Sequence, residues 1–191
     1  ETQISGAWVE ALASTLGYEN SYAIDSQGRS GGIGMFWNNS SNIEILGDSC
    51  YHIDAKVQEE GVEPWRITCI YGESQTHLRH QTWDLMRGIS TLSSLPWLCL
   101  GDFNEVLRPE EHQGIADRNN AQIQAFRDAV DVCMLEDLGY QGRPWTFEKR
   151  VARGSYTRVR LDRALASPSW MVRFPLASLV HLTAASSDHA P

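Results

Sequence analysis

The feature that most constrains this chain is a short apolar strand that ends in polar residues, within residues 96–105. Residues 98–100 form an apolar run without alternation, which is typical of a strand buried on both faces. The run stops at Gly101, and Asp102 and Asn104 follow two residues apart, so in an extended chain they point to the same side. A carboxylate and a carboxamide at the end of a buried strand indicate a site of chemistry. The alternative is a simple turn, because Gly, Asp and Asn are also turn residues.

The periodicity of the rest of the chain predicts many short strands and three separated helices. The helices are predicted at residues 4–16, 77–95 and 121–133, with one further helical turn at 168–172. Strands are predicted at residues 22–25, 31–37, 43–46, 51–57, 65–71, 98–100, 145–147, 159–166 and 176–182. Residues 107–120 lack periodicity and predict a surface loop. Antiparallel strands interrupted by isolated helices predict an α+β sandwich of two sheets with the helices outside.

Each predicted helix has an apolar face, which we expect to be buried. The first face consists of Ile4, Trp8, Leu12 and Leu16, the second of Trp83, Met86 and Ile89, and the third of Ile123, Phe126, Val130 and Cys133. Gly17 predicts the end of the first helix, because glycine readily adopts the left-handed conformation of a helix C-cap.

Composition limits the class of protein. A chain of 191 residues with 42% hydrophobic residues and 7 Trp is large enough for one domain with its own core. No apolar run approaches the roughly 20 residues that span a bilayer, and no signal peptide is visible. The four cysteines have no zinc-binding spacing, so we expect reduced thiols of an intracellular protein. They are Cys50, Cys69, Cys99 and Cys133.

The charge is unevenly distributed. The whole chain carries a net charge of -8, which argues against non-specific binding of nucleic acid by its entire surface. Residues 143–163, however, contain seven basic and two acidic residues, so this segment is +5 and the remainder is -13. A basic strip on an acidic body suits a phosphate-bearing substrate beside a carboxylate-rich metal site. The alternative is a solvated, flexible basic loop.

Polar clusters recur at strand ends along the chain. They are Glu1 with Thr2, Tyr71 with Gly72, Asp102 with Asn104, Asp162 within a later strand, and Asp188 with His189. In this order, together with the motifs Gly31-Gly32-Ile33, Trp145-Thr146-Phe147 and Arg160-Leu161-Asp162-Arg163, the chain resembles the endonuclease/exonuclease/phosphatase superfamily. It is most similar to the endonuclease domain of plant LINE-type non-LTR retrotransposon polyproteins. Each motif is weak alone, and their order and spacing together are specific.

The resemblance implies a fold and its limits. The expected fold is the four-layer αββα sandwich of deoxyribonuclease and apurinic endonucleases, formed as a single domain by residues 1–191. Family members carry an asparagine-bearing strand before the glutamate and a last strand after the Asp-His motif. We therefore expect a domain that is truncated at both ends, lacks its first and last strands and exposes sheet edges.

The resemblance also implies roles for individual residues. Glu1 would bind Mg²⁺, with Mn²⁺ as an alternative, because hard carboxylate oxygens suit these ions. Asp188 would assist as a second metal ligand or at the attacking water. Asp102 would deprotonate the attacking water, and Asn104 would hold that water or a phosphate oxygen. His189 would contact the scissile phosphate, with its tautomer and charge set by Asp162. Tyr71 would donate a hydrogen bond to a phosphate oxygen.

The activity implied by the resemblance is metal-dependent hydrolysis of a phosphodiester, by which retroelement endonucleases nick DNA for target-primed reverse transcription. DNA would be contacted by basic residues of the strip, namely Lys149, Arg150, Arg153, Arg158 and Arg160. A reverse-transcriptase domain in the parent polyprotein and a nuclear location are also implied, and no membrane is involved. Glu148 stands where family members often carry a small or amide residue. Two alternatives are a catalytically inactive remnant of the domain and a phosphatase acting on a small molecule.

Overall fold

The structure, a computed structural model, describes residues 2, 4–27, 30–114, 117–150, 155–183 and 187–191. Its helices are α1 (Gly6–Leu16), α2 (His80–Ser90), α3 (Asn120–Val132) and α4 (Pro168–Arg173). Its strands are β1 (Asn20–Gln27), β2 (Ser30–Trp37), β3 (Asn42–Ser49), β4 (His52–Gln58), β5 (Trp65–Tyr71), β6 (Trp97–Asp102), β7 (His112–Gln113), β8 (Glu136–Asp137), β9 (Gln141–Gly142), β10 (Phe147–Arg150), β11 (Tyr156–Val159), β12 (Asp162–Ala166) and β13 (Val180–His181). The predicted α+β sandwich is confirmed.

A six-stranded sheet organises the fold, with strand order β3-β4-β5-β6-β12-β8. β5 and β6 are parallel, whereas β12 is antiparallel to β6. Helix α2 connects β5 to β6, as a parallel pair requires a crossover. Three smaller sheets accompany it, formed by β1-β2, by β10-β11-β7 and by β13-β9. The carboxyl ends of β5 and β6 therefore lie side by side, next to the start of β12.

Helices α2 and α3 cover one face of the six-stranded sheet with the faces that the sequence predicts. Trp83 of α2 stacks on Phe126 of α3 with ring centroids 4.3 Å apart, and Phe126 stacks in turn on Phe103. Met86 and Ile89 are buried in the same cluster. Burial of these apolar and aromatic side chains is the main favourable contribution to the packing of the two helices.

The apolar face predicted for α1 was wrong. Its large side chains point to solvent, with Trp8 68% and Leu16 60% exposed, whereas Val9 and Ala13 are buried. The reason is a close approach to β2, where a Cβ on Gly34 would collide with the side chain of Val9. A helix that packs this tightly on backbone turns its small residues towards the sheet. The predicted end of α1 is confirmed, because Gly17 adopts a φ of 85°.

Three other segments differ from prediction. The expected loop at residues 107–120 contains a short 3-10 turn and strand β7, which pairs with β11. The strand predicted at 176–182 is reduced to β13, and the strand predicted at 159–166 is divided between β11 and β12. These segments lack a clear period because their pairing partners lie far away in the chain.

All four cysteines are free, and Cys99 and Cys133 are buried in the core. No helix among the described residues has the length and apolar character needed to cross a membrane.

A buried charge cluster, formed by Glu111, Asp137, Arg160 and Arg163, fixes the start of β12. Arg163 donates to Glu111 and Asp137 at 2.8 Å each, and Arg160 donates to Asp137 at 2.8 Å. Burial alone would raise the pKa of both carboxyls, but the two guanidinium groups hold each pKa below its ordinary value. Arg160 is 4% exposed, so the prediction that it contacts DNA was wrong. The basic strip is thus partly neutralised by acids from outside it.

We predict that Glu111→Gln lowers the free energy of unfolding by about 3 kcal/mol at pH 7, because it leaves buried arginine charge without its partner. A lowered carboxyl pKa contributes stability that is present above the unfolded value and is lost as pH falls through the folded value. The difference from the native protein should therefore shrink below about pH 4. Urea unfolding at pH 7, 5 and 3 measures it. The exposed neighbour variant Glu110→Gln is the control, and an equal effect of both variants would contradict the prediction.

Candidate active site

Three polar side chains lie in one row across neighbouring strands of the six-stranded sheet. Tyr71 of β5 is the register partner of Asp102 of β6, and Asp102 is the partner of Asp162 of β12. Residues opposite one another on paired strands point to the same face, so the strand register alone brings these three together. Tyr71 is buried and packs with Ile33 and Ile53. The structure thus brings together three residues that the sequence separates by up to 91 positions.

The turn after β6 holds Asp102 in place. Gly101 has a φ of 137°, and a Cβ there would overlap the carbonyl oxygen of Ile70. Asn104 adopts a φ of 54°, its backbone N–H donates to Asp102 Oδ1 at 2.7 Å, and its Nδ2 donates to the Gly72 carbonyl at 2.8 Å. In this geometry the carboxamide of Asn104 ties the β6 turn to the β5 turn. The predicted contact of Asn104 with water or phosphate stays a prediction.

Glu105 stabilises the same turn through two ion pairs, a role that was not predicted from the sequence. Its side chain is fully buried and pairs with Arg79 at 2.7 Å and with Arg118 at 3.1 Å. Arg118 also donates to the carbonyl of Asn104 at 3.1 Å. A buried carboxylate between two arginines fixes the backbone on which Asp102 and Asn104 stand. The acidic residue directly after the Asp-x-Asn pair was the available signal.

His189 reaches the row from a different strand. The segment around it pairs with β10, where residues 147 and 189 form a β-bridge and Ala190 N–H donates to the Thr146 carbonyl at 2.7 Å. Its Nδ1 lies 3.1 Å from Asp162 Oδ2, and its Nε2 lies 4.0 Å from Asp102 Oδ2. The ring meets Phe147 edge-on at 5.1 Å. The predicted pairing of His189 with Asp162 is present in the structure.

Thr146 joins the two parts of the site, which the sequence analysis did not predict. Its buried hydroxyl accepts hydrogen bonds from the backbone N–H groups of Leu161 and Asp162, both at 2.9 Å. This contact anchors the start of β12 to the segment that leads into β10, and so sets the distance between Asp162 and His189. The motif Trp145-Thr146-Phe147 is visible in the sequence, but nothing in it distinguishes the threonine hydroxyl from that of an ordinary strand residue.

The electrostatics of the row follow from burial of two facing carboxylates. Burial and the charge of Asp162 raise the pKa of Asp102 to about 6, although His189 opposes the shift. For His189, burial disfavours the charged ring, but the hydrogen bond and charge of Asp162, aided by Asp102, raise its pKa above the ordinary value. A carboxyl whose pKa is raised to about 6 and an imidazole whose pKa is also raised suit acid–base chemistry.

An open groove of about 590 Å³ lies beside His189. It is lined by Arg143, Glu148, Arg158, Asp188 and His189, among others. A second cleft of about 420 Å³ lies on the other side of the row, and Tyr71, Tyr51, Asp25 and Glu73 line it. The groove holds both arginines and carboxylates, whereas the charged residues that line the second cleft are acidic, so the His189 side of the row is the less negative one.

The remaining predicted residues are placed as follows. Glu1 and Arg153 lie outside the described residues. Asp188 is exposed in the groove, and its carbonyl accepts from the N–H of Glu148 at 2.8 Å. Lys149 and Arg150 are exposed on β10, and Arg158 pairs with Glu148.

Asp102 and Asp162 of the row form, together with His189, a set of donor groups that fits a divalent cation. One atom each of Asp102, Asp162 and His189 lies within 4.8 Å of the others. Two carboxylates and one imidazole are ligands for Mg²⁺, Mn²⁺ or Zn²⁺, and carboxylate oxygens favour the harder ions. The two facing carboxylates also leave excess negative charge in a half-buried site, which a cation would relieve. The predicted ligand Asp188 lies beside this cluster and is not one of its three members.

We predict that Thr146→Val lowers the free energy of unfolding by about 2–4 kcal/mol, because two buried N–H groups lose their acceptor. Thr146→Ser keeps the hydroxyl and is the matched control, with a loss below about 1.5 kcal/mol. Guanidinium unfolding followed by tryptophan fluorescence measures both. Similar losses for the two variants would show that the methyl group, rather than the hydroxyl, carries the effect.

We predict that Asp102→Asn stabilises the fold by about 2 kcal/mol at pH 8 in the presence of EDTA, because it removes a buried negative charge that faces Asp162. The change keeps the shape of the side chain and an oxygen that accepts from Asn104. Thermal unfolding of the native protein and of the Asp102→Asn variant, both in EDTA at pH 8, measures the difference. The exposed Asp131→Asn on α3 is the control for a general charge effect, and a destabilised Asp102→Asn protein would contradict the prediction.

Comparison with known structures supports the fold. The chain superposes on the endonuclease domain of TRAS1, a telomere-specific non-LTR retrotransposon, with a TM-score of 0.67 and 11% identity over 99% of this chain and 90% of that one. A family protein from Bacteroides thetaiotaomicron gives a TM-score of 0.58 at 13% identity, over 86% of this chain and 66% of that one. Truncated TDP2 from Caenorhabditis elegans gives 0.50 at 13% identity, over 86% and 68%.

At these identities the structural likeness establishes the fold alone. No curated protein matches the chain in sequence. The model of the endonuclease/exonuclease/phosphatase family, in contrast, matches residues 3–189, which include the whole row and His189. The chain therefore belongs to the endonuclease/exonuclease/phosphatase family.

Proposed function

We propose that this chain is a metal-dependent phosphodiester hydrolase that nicks DNA, as retroelement endonucleases of plant LINE type do to prime reverse transcription. The observation that carries the proposal is the meeting of Asp102, Asp162 and His189 at one edge of a groove that also holds Arg143 and Arg158. The structural likeness to a retrotransposon endonuclease domain supports the choice of DNA as the substrate. A nuclear location and a reverse-transcriptase domain in the same polyprotein are parts of this proposal.

In the reaction the oxygen of a water molecule forms a bond to phosphorus while one P–O bond of the DNA backbone breaks, and the released deoxyribose oxygen takes a proton to become a hydroxyl end. Asp102 accepts a proton from the attacking water, and its pKa of about 6 keeps the carboxylate available as a base at neutral pH. Asp162, 3.1 Å from His189 Nδ1, favours the protonated form of the ring, which would place positive charge next to the phosphate. Asp162 thus acts through His189 by fixing its orientation and charge.

A divalent ion, Mg²⁺ or Mn²⁺, would neutralise negative charge on the phosphate oxygens. Within the described residues, Asp102 and Asp162 would offer carboxylate oxygens for it. Glu1 and Asp188 remain the ligands that the family resemblance implies. Tyr71 and Asn104, on either side of Asp102, are proposed to hold a phosphate oxygen or the water.

The substrate backbone is proposed to run along the His189 side of the row. Lys149 and Arg150 of β10 are exposed, and we propose that they contact successive phosphates together with Arg158; Arg153, which lies outside the described residues, is part of the same proposal. Contacts of this kind position DNA without reading its sequence. Arg160 takes no part in this surface, since its charge is buried.

We expect the purified protein to convert supercoiled plasmid to the nicked form in the presence of Mg²⁺. His189→Ala should reduce the rate by about 100-fold or more, because it removes both the positive charge and the partner of Asp162. His80→Ala, which removes an exposed imidazole at the start of α2, is the matched control and should nick at the native rate. Agarose gel electrophoresis over a time course measures the rates.

The outcome also separates the alternatives. Equal nicking by the native protein and His189→Ala would contradict the proposed site. No nicking together with release of phosphate from a small phosphomonoester would indicate a phosphatase, and no reaction with either substrate would indicate an inactive remnant.

A further inference from the structure

An ion pair lies inside the groove beside His189. Glu148 of β10 and Arg158 of β11 are direct cross-strand partners, and Arg158 Nε lies 2.6 Å from Glu148 Oε2. Both side chains line the groove, with 43% and 36% of their surfaces exposed. Arg158 also lies over the ring of Tyr156 at 5.2 Å, so its guanidinium is held from two sides. The guanidinium of Arg158, which lines the groove together with His189, is therefore already paired with a carboxylate.

The position of Glu148 is set by the backbone of the His189 segment. Its N–H donates to the carbonyl of Asp188 at 2.8 Å. Among the described residues, the charged side chains that line the groove besides His189 are two arginines, Arg143 and Arg158, and two carboxylates, Glu148 and Asp188. A groove that would attract phosphate by its arginines is brought close to neutrality by its own acids.

We infer that Glu148 is a specificity-determining residue whose carboxylate occupies Arg158 at the place where a phosphate of an extended polyanionic substrate binds. This inference rests on the proposed function. The substrate phosphate binds Arg158 only by displacing Glu148, and the released carboxylate then lies in the groove and repels the same phosphate. Both ions of the pair are partly exposed, so the exchange occurs readily and depends strongly on salt.

The consequence is discrimination by substrate size. A small phosphate ester that reaches only His189 and Asp102 does not require the exchange. A longer backbone that continues along β10 and β11 does, and its affinity is lowered by the competing carboxylate. Discrimination by a built-in repulsive group of this kind is a general device for specificity.

The test uses binding of a fluorescein-labelled 20-base-pair DNA duplex in EDTA, so that the DNA is bound but not cleaved, measured by fluorescence anisotropy between 50 and 200 mM KCl. Glu148→Gln should bind about 3–10-fold more tightly than the native protein at 50 mM KCl, because Arg158 becomes available for one more phosphate. The slope of log K against log[KCl] should steepen by about 0.9. In the Arg158→Gln background, Glu148→Gln should give no gain.

The chain offers a matched control for the loss of one negative charge. Glu44 and Lys56 form an exposed cross-strand ion pair at 2.7 Å on β3 and β4, at the far edge of the six-stranded sheet. Glu44→Gln removes the same charge and breaks the same kind of pair without opening the groove, so it should leave the affinity within about 2-fold of native.

Three results would overturn the inference. These are an equal gain for Glu44→Gln, a gain for Glu148→Gln that persists without Arg158, and no gain for Glu148→Gln while the native protein binds. Failure of every variant to bind the duplex would instead overturn the proposed action on DNA, and the inference with it. Thermal unfolding of each variant confirms that these surface substitutions leave the fold intact.

Discussion

The site depends on the register between β6 and β12, which sets Asp102 and Asp162 opposite each other in one row. Two carboxylates at paired positions repel each other, and burial makes the repulsion stronger. Nothing in the packing of a sheet requires such an arrangement, so it lowers stability wherever it is not compensated. The imidazole of His189, 3.1 Å from Asp162, compensates part of it. An unfavourable arrangement that is kept at a groove is typical of a functional site.

The register itself is maintained by interactions away from the row. Directly behind Asp162, Arg163 is fully buried between Glu111 and Asp137, which come from the 3-10 turn before β7 and from β8. A slip of one residue would move Arg163 to the other face of the sheet and leave its charge without partners. The cluster therefore opposes any relaxation that would separate the two facing carboxylates. The buried charge cluster thus keeps Asp102 and Asp162 facing each other, an arrangement that packing alone would not select.

The sequence predicted what is local and missed what depends on distant partners. The strand before Asp102 and the buried faces of α2 and α3 follow from periodicity, and the Asp162–His189 pair follows from family resemblance. The α1 face was misjudged because the small residues of a helix, and not its large ones, face a glycine-rich strand such as the one around Gly34. Arg160 was assigned to the surface because its partners lie 23 and 49 positions away in the chain. Hydrophobic periodicity describes local structure only, so it cannot predict ion pairs between residues that are this far apart in the chain.

The row and His189 belong to different sheets, and this division has a chemical consequence. Asp102 and Asp162 are fixed by the six-stranded sheet, whereas His189 is attached to β10 of the β10-β11-β7 sheet by a β-bridge. The two are connected at Thr146, whose hydroxyl accepts from the start of β12 while its carbonyl accepts from Ala190. A single residue thus bonds to the backbone of Asp162 and to the residue that follows His189. The distance between imidazole and carboxylate is therefore set by backbone hydrogen bonds rather than by flexible side chains, which is the pre-organisation that charge stabilisation at a phosphate requires.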